Sequence, residues 1–204
     1  MFAYLTNQKR CGCFGADNGA TIAGSVQAAG QYGVCHETLL PYTGQYVTDI
    51  PDAATTEAAA HLIQSHTVIS DYDTALQYLG TAGVIQIGIP VGNAFQSCQG
   101  PLTLRAVRQD ANNPQGGHAL AVIGYVNAET VGAPASDARR WLIGQNSWGM
   151  QWGAGGFFFI EPVAWDFFCQ QSQNGGGQVE LIGMSHLQSF DNPDAAIDWS
   201  QCYA

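Results

Sequence analysis

The sequence predicts an α+β chain of two lobes, helical first and β-rich afterwards. Three observations carry this. Apolar residues recur at helical spacing in the first part, as at Ile22, Val26 and Ala29. From Val84 the pattern turns to alternation and β-branched residues, beginning with VIQIGIPV. The 204 residues are enough for one well-cored domain or a two-lobed one. We divide a single domain into 1–83, mainly helical, and 84–204, mainly β.

The elements follow in order. Residues 1–19 are punctuated by Gly12, Gly15 and Gly19 and read as loop. Ala20–Gly33 reads as a short helix that closes on glycine. Cys35–Gly44 is turn-rich and extended. Thr55–His66 reads as helical, with His61 and His66 as surface or packing residues. Tyr72–Gly83 is a further helix, capped by Asp73 and ended by glycines. Val84–Val91 is a strand and Gly92–Gly117 a long loop. Strands then fall near His118–Val126, Trp141–Gln145 and Gly156–Ile160. Pro162–Gln170 opens with proline and reads as a helical turn. Gln178–Met184 is the last strand. Phe157–Phe159, Trp165, Phe167 and Phe168 are assigned to the core, and Tyr32, Tyr42 and Tyr72 to packing.

Composition narrows the function. Six basic residues, Lys9 being the one lysine, face sixteen acidic ones, for a formal net charge of −10. No basic patch exists for nucleic acid or an anionic membrane, so neither is expected as a partner. No apolar run reaches the ~18–20 residues of a membrane span, and MFAYLTNQKR lacks a signal-peptide core. Neutral polar residues fill the surface in place of Lys and Glu. That suits an extracellular protein or a subunit of a large particle such as a virion.

The six cysteines are Cys11, Cys13, Cys35, Cys98, Cys169 and Cys202. Their spacing fixes no disulfide framework. Cys11, Cys13, Cys35 and His36 fit no standard zinc spacing, so local disulfides or free thiols are expected and no metal or cofactor is.

The chemistry lies in GGHALAVIGYV (Gly116–Val126) and GQNSWGMQWGAGGFFFI (Gly144–Ile160). His118 stands at the head of a strand behind Gly116 and Gly117, which allow close approach of a backbone or a substrate. Asn146 follows the strand WLIGQ. A thiol nucleophile needs an imidazole base, and the base needs a group that fixes its tautomer. His118 and Asn146 match those two roles, with Nδ1 of the ring facing Asn146 in this reading. Trp148 shields their hydrogen bond, and Gly149 and Gly153 permit the tight loop that places Trp148 and Trp152.

This pattern resembles the papain-like cysteine peptidase family, in its bacterial and phage-type members. The matching residues are Gly117-His118-Ala119, Gly124-Tyr125, Asn146-Ser147-Trp148-Gly149, Trp152-Gly153 and Gly156-Phe157. DNGATIAGSVQAAGQYGVCHETLLPYTG is similar to the stretch that follows the family's catalytic helix. The resemblance implies a papain-like two-lobed fold, a peptide substrate, catalytic His118 and Asn146, and supporting Gly117, Trp148, Gly149 and Trp152.

It also implies a Gln and a Cys that opens a long helix, together forming the oxyanion hole. In the family these precede the His by ~130–150 residues. Counting back from His118 passes Met1. NQKRCGCF (Asn7–Phe14) echoes the nucleophile motif, but one residue short, and the FGADNG that follows Cys13 cannot start a buried helix. The expectation is therefore an incomplete N-terminal lobe whose gap exposes apolar surface at Ile22 and Val26, to be filled by some other segment, a partner protein or a second copy. The chain alone would be an inactive binding or structural subunit. The alternative is an active peptidase whose nucleophile comes from an upstream segment, from a partner chain or, least favoured, from Cys13.

Overall fold

In the computed structural model, residues 1–63, 65–81, 83–133, 138–174 and 178–185 are described. Cys202 lies outside them. The chain forms two compact units, Met1–Thr67 and Val68–Gly183 in their main parts. The second therefore begins before Val84, because the helix ahead of that residue buries Tyr72, Ala75 and Leu79 in the β-rich core.

The first unit opens on a helix, α1 (Phe2–Cys11), where the sequence reads as loop. Polar residues hide this helix from a pattern search. Asn7 and Gln8 are fully buried and work as hydrogen-bonding hubs. Asn7 Nδ2 donates to Thr21 O and Ser25 Oγ, both at 3.1 Å. Gln8 Nε2 reaches Tyr4 Oη, Ala16 O and Gly19 O, and its Oε1 accepts from Tyr46 Oη at 2.6 Å. Tyr4 Oη donates to the Asp17 carboxylate and accepts from Gly19 N–H. Burial, then the Asp17 carboxylate, pushes the Tyr4 phenol up to about 12. Buried amides saturated in this way tie α1 to the loop after it.

The next helix, α2 (Ile22–Tyr32), is N-capped by Thr21 Oγ1, which accepts from Gly24 N–H at 3.1 Å. Its Ile22 and Val26 are buried within the chain itself, so the face expected to be open is covered by the chain's own residues and not left to a partner. A 3₁₀ turn (Glu37–Leu39) precedes α3 (Asp52–Ala58). Thr55–His66 is thus not one helix. It ends at Ala58, His61 lies beyond the end, and His66 sits in the short strand β1 (Ser65–Val68). Leu62, Val68 and Tyr42 are exposed, so Tyr42 is not a packing residue.

The second unit contains α4 (Tyr72–Gly80), β2 (Val84–Val91), α5 (Asn93–Gln96), β3 (Pro101–Leu102), α6 (Leu104–Asn112), β4 (Gly116–Val126), β5 (Trp141–Gln145), β6 (Phe157–Ile160), α7 (Pro162–Gln173) and β7 (Glu180–Ser185). The strands lie side by side in the order β7-β2-β4-β5-β6-β3. β4 is antiparallel to β2 and β5, β6 to β5, and β3 runs parallel to β6. On β2, Ile85, Ile87 and Ile89 alternate into a core closed by Phe158, Ile160, Trp165 and Phe168. On the other side Trp141, Ile143 and Phe159 form a smaller cluster. Among the described residues no helix is long and apolar enough to cross a membrane.

The stretch Gly92–Gly117 is not a loop: it holds α5, β3 and α6. The helix α6 escapes the eye because Leu104 and Val107 are its only large apolar residues. Its N-terminus is held by Thr103 and by Glu161 Oε2, which accepts from Leu104 N–H at 2.7 Å. The cap of α4 is Asp71 rather than Asp73. Its Oδ1 accepts from Thr74 N–H at 2.7 Å, and its Oδ2 from the Ser70 and Thr74 hydroxyls. These bonds, led by the Thr74 N–H, hold the Asp71 carboxyl below its ordinary range.

A carboxyl depressed on folding contributes stability above its unfolded value of ~3.9 and loses it as pH falls through the folded value. We expect Asp71→Ala to cost about 1 kcal/mol at pH 7. Urea unfolding at pH 7 and pH 3 checks this. The gap between parent and variant should shrink at the lower pH, and a constant gap would refute the account.

Candidate active site

Antiparallel pairing of β4 and β5 brings the two motifs together. Ala121 faces Gln145 and Val122 faces Gly144 across the pair. His118 lies three residues before Ala121, and Asn146 directly follows Gln145. On its other edge His118 is registered with Ile89 of β2. Gly144 has no side chain because the Phe158 ring fills that space, 2.2 Å from where a Cβ would lie.

His118 Nε2 and Asn146 Oδ1 are 2.9 Å apart. The nitrogen facing the amide is therefore Nε2, not the Nδ1 expected from sequence. A residue's place on a strand says nothing about which ring edge turns inward. The same Oδ1 also accepts from Ser147 N–H at 2.8 Å. A backbone N–H can only donate, so the Asn146 atom in this position is the oxygen. It follows that Nε2 carries a proton and donates. Nδ1 makes no hydrogen bond among the described residues and is the nitrogen free to take and return a proton. The Asn146 backbone is fixed by its N–H to Gly156 O at 2.9 Å. Its Nδ2 is buried without a partner among the described residues.

An aromatic cluster surrounds this pair. Trp148 stacks on the His118 ring, centroids 4.8 Å apart and planes 26° from parallel, while remaining 41% exposed. Phe95 meets His118 edge-on at 6.0 Å and Trp148 at 5.5 Å, and lies tilted against Trp152 at 4.9 Å. Trp152 Nε1 donates to Gln96 O at 3.1 Å. The loop between Trp148 and Phe157 turns through Gly149 and Gly153, both at positive φ. At Gly153 a Cβ would also strike Phe157 O at 2.4 Å, so glycine is required there. At Gly117, by contrast, a Cβ would meet nothing.

Two residues that support the pair lie in the stretch read as loop. Phe95 is on α5. Asp110 of α6 is buried and accepts from Ala94 N–H at 3.0 Å and Phe95 N–H at 2.8 Å. It thereby fixes the start of α5 and the ring beneath Trp148 and Trp152. The signal in sequence was Asp110 three residues after Val107 on an otherwise polar helix, too weak to distinguish from a solvated face.

Among the described residues no thiol is hydrogen-bonded to His118. Cys98 Sγ donates to Gly100 O at 3.4 Å, and burial pushes its pKa up. Burial, then the carboxylates of Asp166 and Asp71, pushes Cys169 up to about 12. Both therefore stay protonated thiols. Cys13 follows the C-terminus of α1, its N–H bonded to Gln8 O at 3.0 Å. The nucleophile of the resemblance would instead open a helix. Cys11, Cys13, Cys35, Cys98 and Cys169 are all free.

Residues 4–170 match the sequence profile described as papain family cysteine protease. No curated protein sequence matches the chain. Similar solved structures include xylellain, a cysteine protease from Xylella fastidiosa, with a TM-score of 0.64 at 19% identity. The alignment covers 92% of this chain and 69% of that one. Digestive procathepsin L 3 of the Tenebrio molitor larval midgut gives 0.59 at 17% identity, covering 89% of this chain and 54% of that one. The bromelain protease of Ananas comosus gives 0.53 at 17%, covering 83% and 71%. The chain thus spans between about half and seven-tenths of the length of these structures.

Removing the Asp110 carboxylate strands the Phe95 N–H in the core, a loss of about 1–3 kcal/mol. Asp110→Ala should therefore lower unfolding stability by about 2 kcal/mol and weaken the near-ultraviolet dichroism of the tryptophans. Asp110→Asn, which keeps one acceptor, should fall between. Equal stability of the parent and both variants in urea would show that Asp110 does not hold α5.

Proposed function

Since the chain belongs to the papain family of cysteine proteases, we propose that His118 and Asn146 are the base half of a peptide-hydrolysing site. The supporting observation is the hydrogen bond from His118 Nε2–H to Asn146 Oδ1, which leaves Nδ1 free. A cysteine thiol placed against Nδ1 gives it a proton. The thiolate then attacks the peptide carbonyl carbon and forms an acyl-enzyme. The imidazolium returns the proton to the departing amine nitrogen. A water then deprotonated by Nδ1 releases the acid and restores the thiol. Asn146 keeps the ring in one tautomer throughout without adding a charge, and Trp148 covers one face of it.

No thiol among the described residues meets Nδ1. In this reading residues 1–204 alone are inactive, and the nucleophile comes from another segment or a partner chain. A second reading rests on the same observation: a module that keeps the fold for binding or assembly and performs no catalysis. The coding sequence upstream of Met1 separates the two. A Gln followed by a helix-opening Cys supports the peptidase, and a sequence without them supports the binding module.

Purified residues 1–204 should neither cleave fluorogenic peptides nor form an adduct with a thiol-directed epoxide. Cleavage lost in both His118→Ala and Cys13→Ser would make Cys13 the nucleophile and refute this reading.

A further inference from the structure

A second cluster of chemically able side chains lies in the first unit, on residues given no role above. Glu57 is near the end of α3, and His61 follows one turn later. His36 comes from the segment between α2 and the 3₁₀ turn. One carboxylate oxygen, Glu57 Oε1, is 2.6 Å from His36 Nδ1 and 2.8 Å from His61 Nε2. All three ligand atoms lie within 4.8 Å of one another. The two imidazoles meet edge to face, centroids 5.6 Å apart.

The backbone holds this convergence in place. Glu57 Oε2 accepts from His36 N–H at 2.9 Å, which turns Oε1 toward both rings. Val34 N–H donates to His61 O at 3.3 Å, and His61 N–H to Ala58 O at 2.9 Å. The chain before His36 is thus pinned to the chain around His61. The side chains of His36 and His61 are 75% and 46% exposed and that of Glu57 24%, so an ion can enter while the carboxylate stays anchored.

We propose that His36, Glu57 and His61 bind a divalent transition-metal ion, zinc in the first instance. Two imidazole nitrogens and one carboxylate oxygen are a borderline-soft set that suits zinc or copper and is a poor match for calcium or magnesium. Ligands ~2.0–2.1 Å from a tetrahedral ion stand about 3.3 Å apart. The nitrogen–oxygen distances must therefore open by about 0.6 Å, which two exposed rings can accommodate. Three protein ligands leave the fourth position for water or an incoming group. The ion would tie the segment after α2 to the end of α3.

Zinc titration of the intact chain against a chromophoric chelator, with thermal unfolding in parallel, tests this. We expect one zinc ion per chain and a rise in Tm. Affinity should fall at least tenfold in His36→Ala and in His61→Gln, and the zinc-dependent rise in Tm should vanish. A Cys11→Ser/Cys13→Ser double variant should bind zinc unchanged, and the cobalt form should lack a thiolate charge-transfer band. His36→Ala alters an exposed ring, so folding is not at stake in that variant. Absence of stoichiometric zinc at micromolar concentration would overturn the proposal. So would equal affinity in both histidine variants, or affinity that follows the cysteines.

Discussion

One oxygen, Asn146 Oδ1, accepts from both His118 Nε2 and Ser147 N–H. The second bond decides the meaning of the first. Because Ser147 can only donate, the amide cannot be turned over, and the imidazole must carry its proton on the side facing it. A single backbone N–H therefore sets the tautomer of the base. The constraint reaches further, since it requires Asn146 to stand just beyond the end of β5 while His118 stands near the start of β4. Only the antiparallel register of Ala121 with Gln145 meets that requirement. Moving it by one residue would turn the two side chains to opposite faces of the sheet.

The surroundings of this pair combine apolar mass with a few directed polar bonds. Phe95, Trp148, Trp152 and Phe158 contact one another mainly edge to face, which suits the charge distribution of aromatic rings. Packing alone would leave Phe95 free to slide along α5. The Asp110 carboxylate prevents this by taking the N–H groups of Ala94 and Phe95, the donors a four-residue helix cannot satisfy internally. Order around the base thus depends on a buried acid in α6, the element that precedes β4.

The first unit uses the opposite balance. Its apolar cluster is small, centred on Phe2, Leu5, Leu40, Ala54 and Ala58. Much of its specificity comes from saturated polar groups: the amides of Asn7 and Gln8 and the Tyr4 and Tyr46 phenols. Such groups cost stability if any bond is missing, so they accept few alternative arrangements.

Several parts of the molecule could be read before any coordinates. Val84–Val91 and Trp141–Gln145 are strands to the residue, because β-branched alternation is a local signal. His118, Asn146, Trp148, Gly149, Gly153 and Trp152 fall together as their motif suggests, since a tight glycine loop and two flanking strands leave few other solutions. What failed was long-range or polar. The helix α1 is held by amide bonds to residues up to 38 positions away, and α6 by Glu161, 57 positions on. No window of neighbouring residues contains those partners. Nor can sequence say which edge of an imidazole turns inward, that Ile22 and Val26 are already covered, or that His36, Glu57 and His61 converge. Each of these depends on distances between chain segments, which pattern along the chain does not encode and packing alone decides.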